Sequence, residues 1–269
     1  AGGQRVFLRH GGVWHQLGVP SAFVMEPGAV RWIYRFADRV VTARVWCSRH
    51  EPASFLELKV FSGPPAEFLV THQLALGGNE FDSAGELEVH DDGWIAARPA
   101  PGGFTAQHLP GTCFALAATG PLSAHGGDEL LCGDGGAGGG PYACFQTKAV
   151  NHCTFIMLGV TTGATTLCDA VLRARAECAA GTAGHSQPPA APLRLRGTAD
   201  AGISRLNEIL PWFTHNAAIH FSAQHGLEQY GGGAWGVRDV TQGSVEWLLA
   251  SGGFATVRRL LATVFAQQY

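Results

Sequence analysis

SFLELKVF, residues 54–61, sets Leu56, Leu58 and Val60 on one face and Glu57 and Lys59 on the other. A period of two marks a half-buried β-strand. The pattern recurs on both sides of it. RVVTARVWC (39–47) is rich in β-branched and aromatic residues, which favour strands. GELEVHDDGWIAA (85–97) alternates, breaks at Asp91, Asp92 and Gly93, and resumes at Trp94, the signature of a hairpin. CTFIMLGV (153–160) is a continuous apolar run of strand length, suited to burial on both faces. Strands at this spacing, with Gly/Pro turns between them, predict a β-sandwich over residues 1–178.

Composition narrows the function classes. The chain has 269 residues, 46% hydrophobic and only 14% charged, so core material is ample. Its 37 glycines predict many tight turns. The formal net charge is -3 and there is no basic block, which argues against a nucleic-acid partner. No run of 18 apolar residues occurs, so no membrane-spanning helix is predicted. Seven cysteines, at 47, 113, 132, 144, 153, 168 and 178, show no C-x-x-C spacing. They read as reduced, mostly buried thiols of a cytoplasmic protein, and no secretory leader is visible. The chain starts at Ala1 without a methionine and stops at Tyr269 inside a helical pattern, which reads as a piece of a longer protein.

Beyond the strands the character changes. ECAAGTAGHSQPPAAPLRLRG (177–197) is made of small residues and prolines and predicts a linker, placed at 179–200. Helical periodicity follows over 201–269. Ile203, Leu206, Ile209 and Leu210 form one stripe, and Pro211 is expected to end or kink that helix. TQGSVEWLLAS carries Val245, Leu248 and Leu249, with Gly252 as its stop. Phe254, Val257, Leu260, Leu261, Val264 and Phe265 share the face of a last helix. About three helices cannot bury three apolar stripes among themselves.

Several motifs carry possible chemistry. GDGGAG (133–138) fits G-x-G-x-x-G, but GGPYACF follows it rather than a helix, so it reads as a loop. His215, His220 and His225 recur every five residues, which spreads them about 140° apart on a helix and argues against a metal site. GGGAWGVRDVTQG (231–243) places Arg238 beside Asp239 after a glycine run. Asp239 can cap the helix that follows. It can also serve a ligand, because glycines let a ligand approach closely. Trp212, Phe213, Phe221, Tyr230 and Trp235 stand near Asn216, Glu228, Gln229 and Gln242 in sequence. Rings beside hydrogen-bonding groups suit a sugar, although rings at such spacing also build ordinary helix cores.

The stretch LPWFTHNAAIHFSAQHGLEQYGGGAWGVRDVTQGSVEWLLASG (210–252) resembles the entry to the catalytic barrel of glycoside hydrolase family 94, the cellobiose-phosphorylase-type enzymes. Within that family it is most similar to the 1,2-β-oligoglucan phosphorylase branch. A tryptophan-led helix, HNA, HGLEQY, a glycine run and W-G-x-R-D-x-x-Q-G carry the likeness. The resemblance implies an N-terminal β-sandwich, a linker and the first helices of a truncated (α/α)6 barrel. It makes Asp239 the general acid, with Arg238, Gln242, Glu228, Tyr230, Trp235 and Trp212 around the sugar. Cellobiose phosphorylases carry an aromatic residue where this chain has Val237, which points away from cellobiose as substrate.

An inverting phosphorylase needs one carboxylic acid to protonate the leaving oxygen, while phosphate, already anionic, attacks from the opposite face. An inverting hydrolase needs a second carboxylate about 6.5–9.5 Å away. The acid must keep its proton near neutral pH, which apolar burial favours and a close guanidinium opposes. The resemblance implies no cofactor, inorganic phosphate as co-substrate, phosphate-binding residues beyond Tyr269, and a homodimer. Two alternatives stay open: a hydrolase or transglycosylase on the same scaffold, and a non-catalytic carbohydrate-binding sandwich.

Overall fold

Residues 54–61 form the middle of a strand in the computed structural model, and that strand organises the sandwich. The structure describes residues 3–48, 50–77, 85–131, 142–160, 166–180, 194–197, 201–222 and 237–266, with backbone alone at 160, 201, 222 and 237–240. The chain divides into two compact units, Ala1–His185 and Ser186–Tyr269.

The described residues of the first unit form thirteen strands: β1 (Gly3–His10), β2 (Val13–Gln16), β3 (Ala22–Glu26), β4 (Ala29–Phe36), β5 (Arg39–Cys47), β6 (Ala53–Ser62), β7 (Phe68–Gln73), β8 (Gly85–His90), β9 (Trp94–Pro99), β10 (Cys113–Thr119), β11 (Leu122–Gly126), β12 (Tyr142–Thr147) and β13 (His152–Val160). They pair antiparallel in two sheets. One has the order β11-β12-β7-β1-β2 and the other β3-β4-β5-β6-β13-β10-β9-β8. The hairpin expected at 85–97 is β8–β9, and the predicted strand over 39–47 is β5. Gly93 makes the turn between β8 and β9 at φ 82°, a conformation that suits glycine.

The main core lies between the sheets. Leu56, Leu58 and Val60 of β6 enter it as their period requires, together with Leu8, Phe68, Val70, Phe145 and Phe155. On the other face of β6, Lys59 is exposed and Glu57 half-buried. Phe55 on that face is nevertheless fully buried. It packs in a second cluster under a helix that periodicity did not reveal, α2 (Leu167–Ala179). A short helix, α1 (Phe104–His108), precedes it. The stretch read as β through residue 178 therefore ends in a helix.

α2 lies on β10 and β13 through Ala170, Val171 and Ala174. Its small residues allow a close approach, and the opposite face of β13 meets the main core. This is the two-sided burial expected for 153–160. Thr166 caps the helix, its hydroxyl accepting from the Asp169 N–H at 3.2 Å. Three polar contacts fix its outer side. Arg173 donates to Glu51 at 2.5 Å, Ser48 donates to Glu177 at 2.6 Å, and Arg175 donates to the Gly93 carbonyl at 3.1 Å.

His72 sits on β7 inside the core, 3% exposed, edge-on to Phe145. Burial pushes its pKa down to about 4 from 6.5. Between those values the unfolded chain takes up a proton that the folded chain refuses. Stability is then full above pH 6.5 and falls as the pH drops toward 4, by about 3 kcal/mol from this group. Urea unfolding at several pH values tests this. His72→Leu is expected to flatten the slope in that window, and parallel slopes for both proteins would exclude the assignment.

The second unit contains α3 (Ala201–Ser222), α4 (Val237–Ala250) and α5 (Phe254–Phe265). Pro211 lies inside α3, so of the two outcomes expected of it, an end or a kink, it does not end the helix. Proline removes the N–H that would bond the Asn207 carbonyl. Nearby, Thr214 donates to the Leu210 carbonyl at 2.9 Å, and the Asn207 side chain pairs with both backbone groups of Leu195. The α3 stripe is also not a core among the described residues. Leu206 and Ile209 are exposed, while Thr214 and Ala218 are buried. Gly252 stops α4 as expected. It lies at φ 77°, its N–H donates to the Leu249 carbonyl, and Gly253 N–H donates to the Leu248 carbonyl. On α5, Val257, Leu260 and Val264 are buried, but Phe254 and Phe265 at its ends are exposed.

Candidate active site

The predicted site residues fall into two groups. Glu228, Tyr230 and Trp235 lie outside the described residues, as do GDGGAG, His225 and Cys132. Trp212, Arg238, Asp239 and Gln242 lie on described helices.

α4 begins at Val237, so Asp239 is its third residue and stands inside the first turn. α4 thus includes Asp239, which the sequence pattern placed just ahead of the TQGSVEWLLA helix. At about 100° per residue, positions 238, 239 and 242 fall within one arc of roughly 100° around the helix axis. Gln242, Glu246, Leu249 and Ala250, on that same side, are exposed. The opposite side carries Ser244 and Leu248, which are 6% and 4% exposed. Positions 238, 239 and 242 thus share one side of α4.

Trp212 is half-buried on α3. The aromatic contact between α3 and α4 is made by Phe221 and Trp247, with ring centroids 6.0 Å apart. Gly243 lies beside the Phe221 ring, which a Cβ there would meet in ordinary contact at 3.4 Å. Trp247 is a contact that spacing alone did not single out. Asn216 and Phe213 are exposed on α3. His215 and His220 occupy the same continuous helix, and the His220 ring meets Phe221 edge-on. Among the described residues no group of His, Cys, Asp and Glu is arranged to hold a metal ion. Six cysteines are described, all as free thiols. Cys144 and Cys153 are buried, Cys113 and Cys178 half-buried, and Cys47 and Cys168 exposed, so the expected general burial applies to only some of them. Burial pushes the Cys144 and Cys153 thiols up to about 12, so neither is a nucleophile.

The family model described as the glycoside phosphorylase supersandwich domain matches residues 1–158, which run from β1 almost to the end of β13. The chain belongs to this family. A 1,2-beta-oligoglucan phosphorylase of Listeria innocua is 25% identical over 268 residues, 99% of this chain. The chain spans about a quarter (24%) of that relative's length. Among solved structures, a putative kojibiose phosphorylase from the human microbiome is similar with a TM-score of 0.40 and 7% identity, covering 80% of this chain and 27% of its own. A polysaccharide lyase is similar with a TM-score of 0.39 and 8% identity, covering 64% of this chain and 27% of its own. No described helix is long and apolar enough to cross a membrane.

Proposed function

We propose that the chain is the supersandwich and the first barrel helices of an inverting glycoside phosphorylase. Its substrate is a β-linked gluco-oligosaccharide, taken here as β-1,2-glucan, and its product α-glucose 1-phosphate. The observation that carries this reading is the similarity to the Listeria innocua enzyme, which runs through both units rather than the sandwich alone.

In this reading Asp239 gives its proton to the glycosidic oxygen as the bond to the anomeric carbon breaks. A phosphate oxygen forms the new bond from the opposite face, and the configuration inverts from β to α. Arg238 and Gln242, on the same side of α4, hold sugar hydroxyls. Glu228, Tyr230, Trp235 and Trp212 complete the sugar site. The amide dipoles of a helix's first turn favour an ionised carboxylate. A proton donor at position 239 therefore needs apolar cover around it. The remaining helices of an (α/α)6 barrel would provide it. Free thiols fit a cytoplasmic enzyme.

The test uses the full-length protein that carries this chain. It is incubated with short β-1,2-linked glucans, with and without inorganic phosphate. Phosphate-dependent release of the α-anomer of glucose 1-phosphate is the expected result. Free glucose formed regardless of phosphate would replace this reading with a hydrolase, and no product in either tube would overturn the choice of substrate.

A further inference from the structure

A cleft of about 460 Å³ opens on the sandwich, lined by Arg9, Gly11, Gly12, Arg39, Pro65, Glu67 and Ala149. Its size falls within the range of small-ligand sites. Pairing of β1 with β7 brings Arg9 to Glu67, with the guanidinium donating to the carboxylate at 3.0 Å. Arg39 follows the turn between β4 and β5, its side chain 9% exposed. Its guanidinium donates twice to Asp38, at 2.9 and 3.3 Å, and once to the Pro65 carbonyl at 3.2 Å. Among the described residues these contacts use three of its five N–H bonds.

Gly63, at φ 99°, lets this turn come close. A Cβ there would lie 2.6 Å from the Asp38 carbonyl oxygen. The turn also holds Ala37 at φ 50°, a costly conformation for a residue with a side chain. Gly11 and Gly12 form the opposite lip at φ 58° and 82°, with nothing within 4 Å of a Cβ built on either. His10 stands between Arg9 and this lip and meets Phe36 edge-on, while Arg9 lies over the Trp14 ring at 5.7 Å.

We infer that this cleft on the sandwich is a saccharide-binding site, and that it takes a segment of a neutral glucan chain. The chemistry favours a neutral polyol over an anion. Each guanidinium already carries a carboxylate, so the two pairs sum to zero charge. A phosphate would find little net attraction and one carboxylate, Glu67, in its way. Sugar hydroxyls both donate and accept, and the wall offers guanidinium donors beside carboxylate acceptors. The identity of the sugar, a β-1,2-linked glucan, rests on the function proposed above.

The test again uses the full-length protein, titrated with β-1,2-linked gluco-oligosaccharides and, separately, with inorganic phosphate. Sugar binding is expected to slow amide hydrogen exchange at Gly11 and Gly12. Arg9→Gln combined with Glu67→Gln is expected to weaken that protection about tenfold, as for loss of one charge-assisted hydrogen bond. Both side chains are partly exposed, and an unchanged unfolding midpoint shows that the variant is folded. Equal protection in both proteins, or none in either, overturns the site. So does protection by phosphate in place of the sugar, which would make it an anion site. If the sugar protects the lip but the protein shows no phosphorolysis, the cleft stands and the function proposed above falls. Active phosphorolysis with an unprotected lip gives the reverse.

Discussion

Asp239→Asn in the full-length protein lowers phosphate-dependent release of α-glucose 1-phosphate from β-1,2-glucan by about 10²–10⁴-fold, the usual contribution of a general acid. Asparagine keeps the size and hydrogen-bonding reach of the side chain but has no proton to give. The loss should therefore fall mainly on kcat. It should shrink for a glucosyl donor whose leaving group departs without a proton, such as fluoride. Gln242→Ala, one turn further along the same face of α4, is expected to raise KM more than it lowers kcat, as befits a residue that holds hydroxyls. Full activity of the asparagine variant on the glucan would remove Asp239 from the chemistry. The proposed assignment would then fall, even though the chain's family membership would stand.

The second large effect is on the fold. Phe155→Ala is expected to destabilise the sandwich by about 3–5 kcal/mol, read as a lower urea midpoint. Phe155 is 1% exposed on β13, and its ring meets Phe145 of the facing sheet at 6.0 Å. Truncation leaves a cavity where the two sheets touch, and the surrounding strands cannot collapse into it because each is pinned by neighbours on both sides. Phe61→Ala is the internal control. That residue is 74% exposed at the end of β6, so its loss should change stability by no more than about 0.5 kcal/mol. A cost below about 1 kcal/mol at Phe155 would mean that the sheets are not packed through this pair.

Strand periodicity was the most legible feature, because alternate burial writes itself directly into residues such as Leu56, Leu58 and Val60. The run at 153–160 also announced its two-sided burial. α2 stayed hidden for a physical reason. Its buried face is Ala170, Val171 and Ala174, small residues that pack closely yet barely raise an apolar signal, while Leu172 points to solvent. The pair Thr166 and Asp169, a cap with its partner three residues on, was the available clue. α3 misled in the opposite direction. Its apolar stripe suggested a core, but the helix packs through Thr214 and Ala218, and Pro211 is accommodated within it. At the candidate site, neighbours along α4 could be read from spacing. The cleft on the sandwich could not. Arg9, Arg39 and Glu67 are far apart in sequence and meet only through sheet pairing, so no local pattern marks them.

The pairing of β6 with β13 has a consequence in time. Leu58 faces Cys153, whereas β3 to β6 meet one another through short turns. A ribosome adding about 5–20 residues per second separates the emergence of β6 from that of β13 by roughly 5–20 s. Hairpins form in microseconds, so the four-stranded meander can assemble and then wait with one edge unfilled. Open edges of this kind recruit other chains. The rate of synthesis, rather than the strength of the finished sandwich, decides how long that edge stays available.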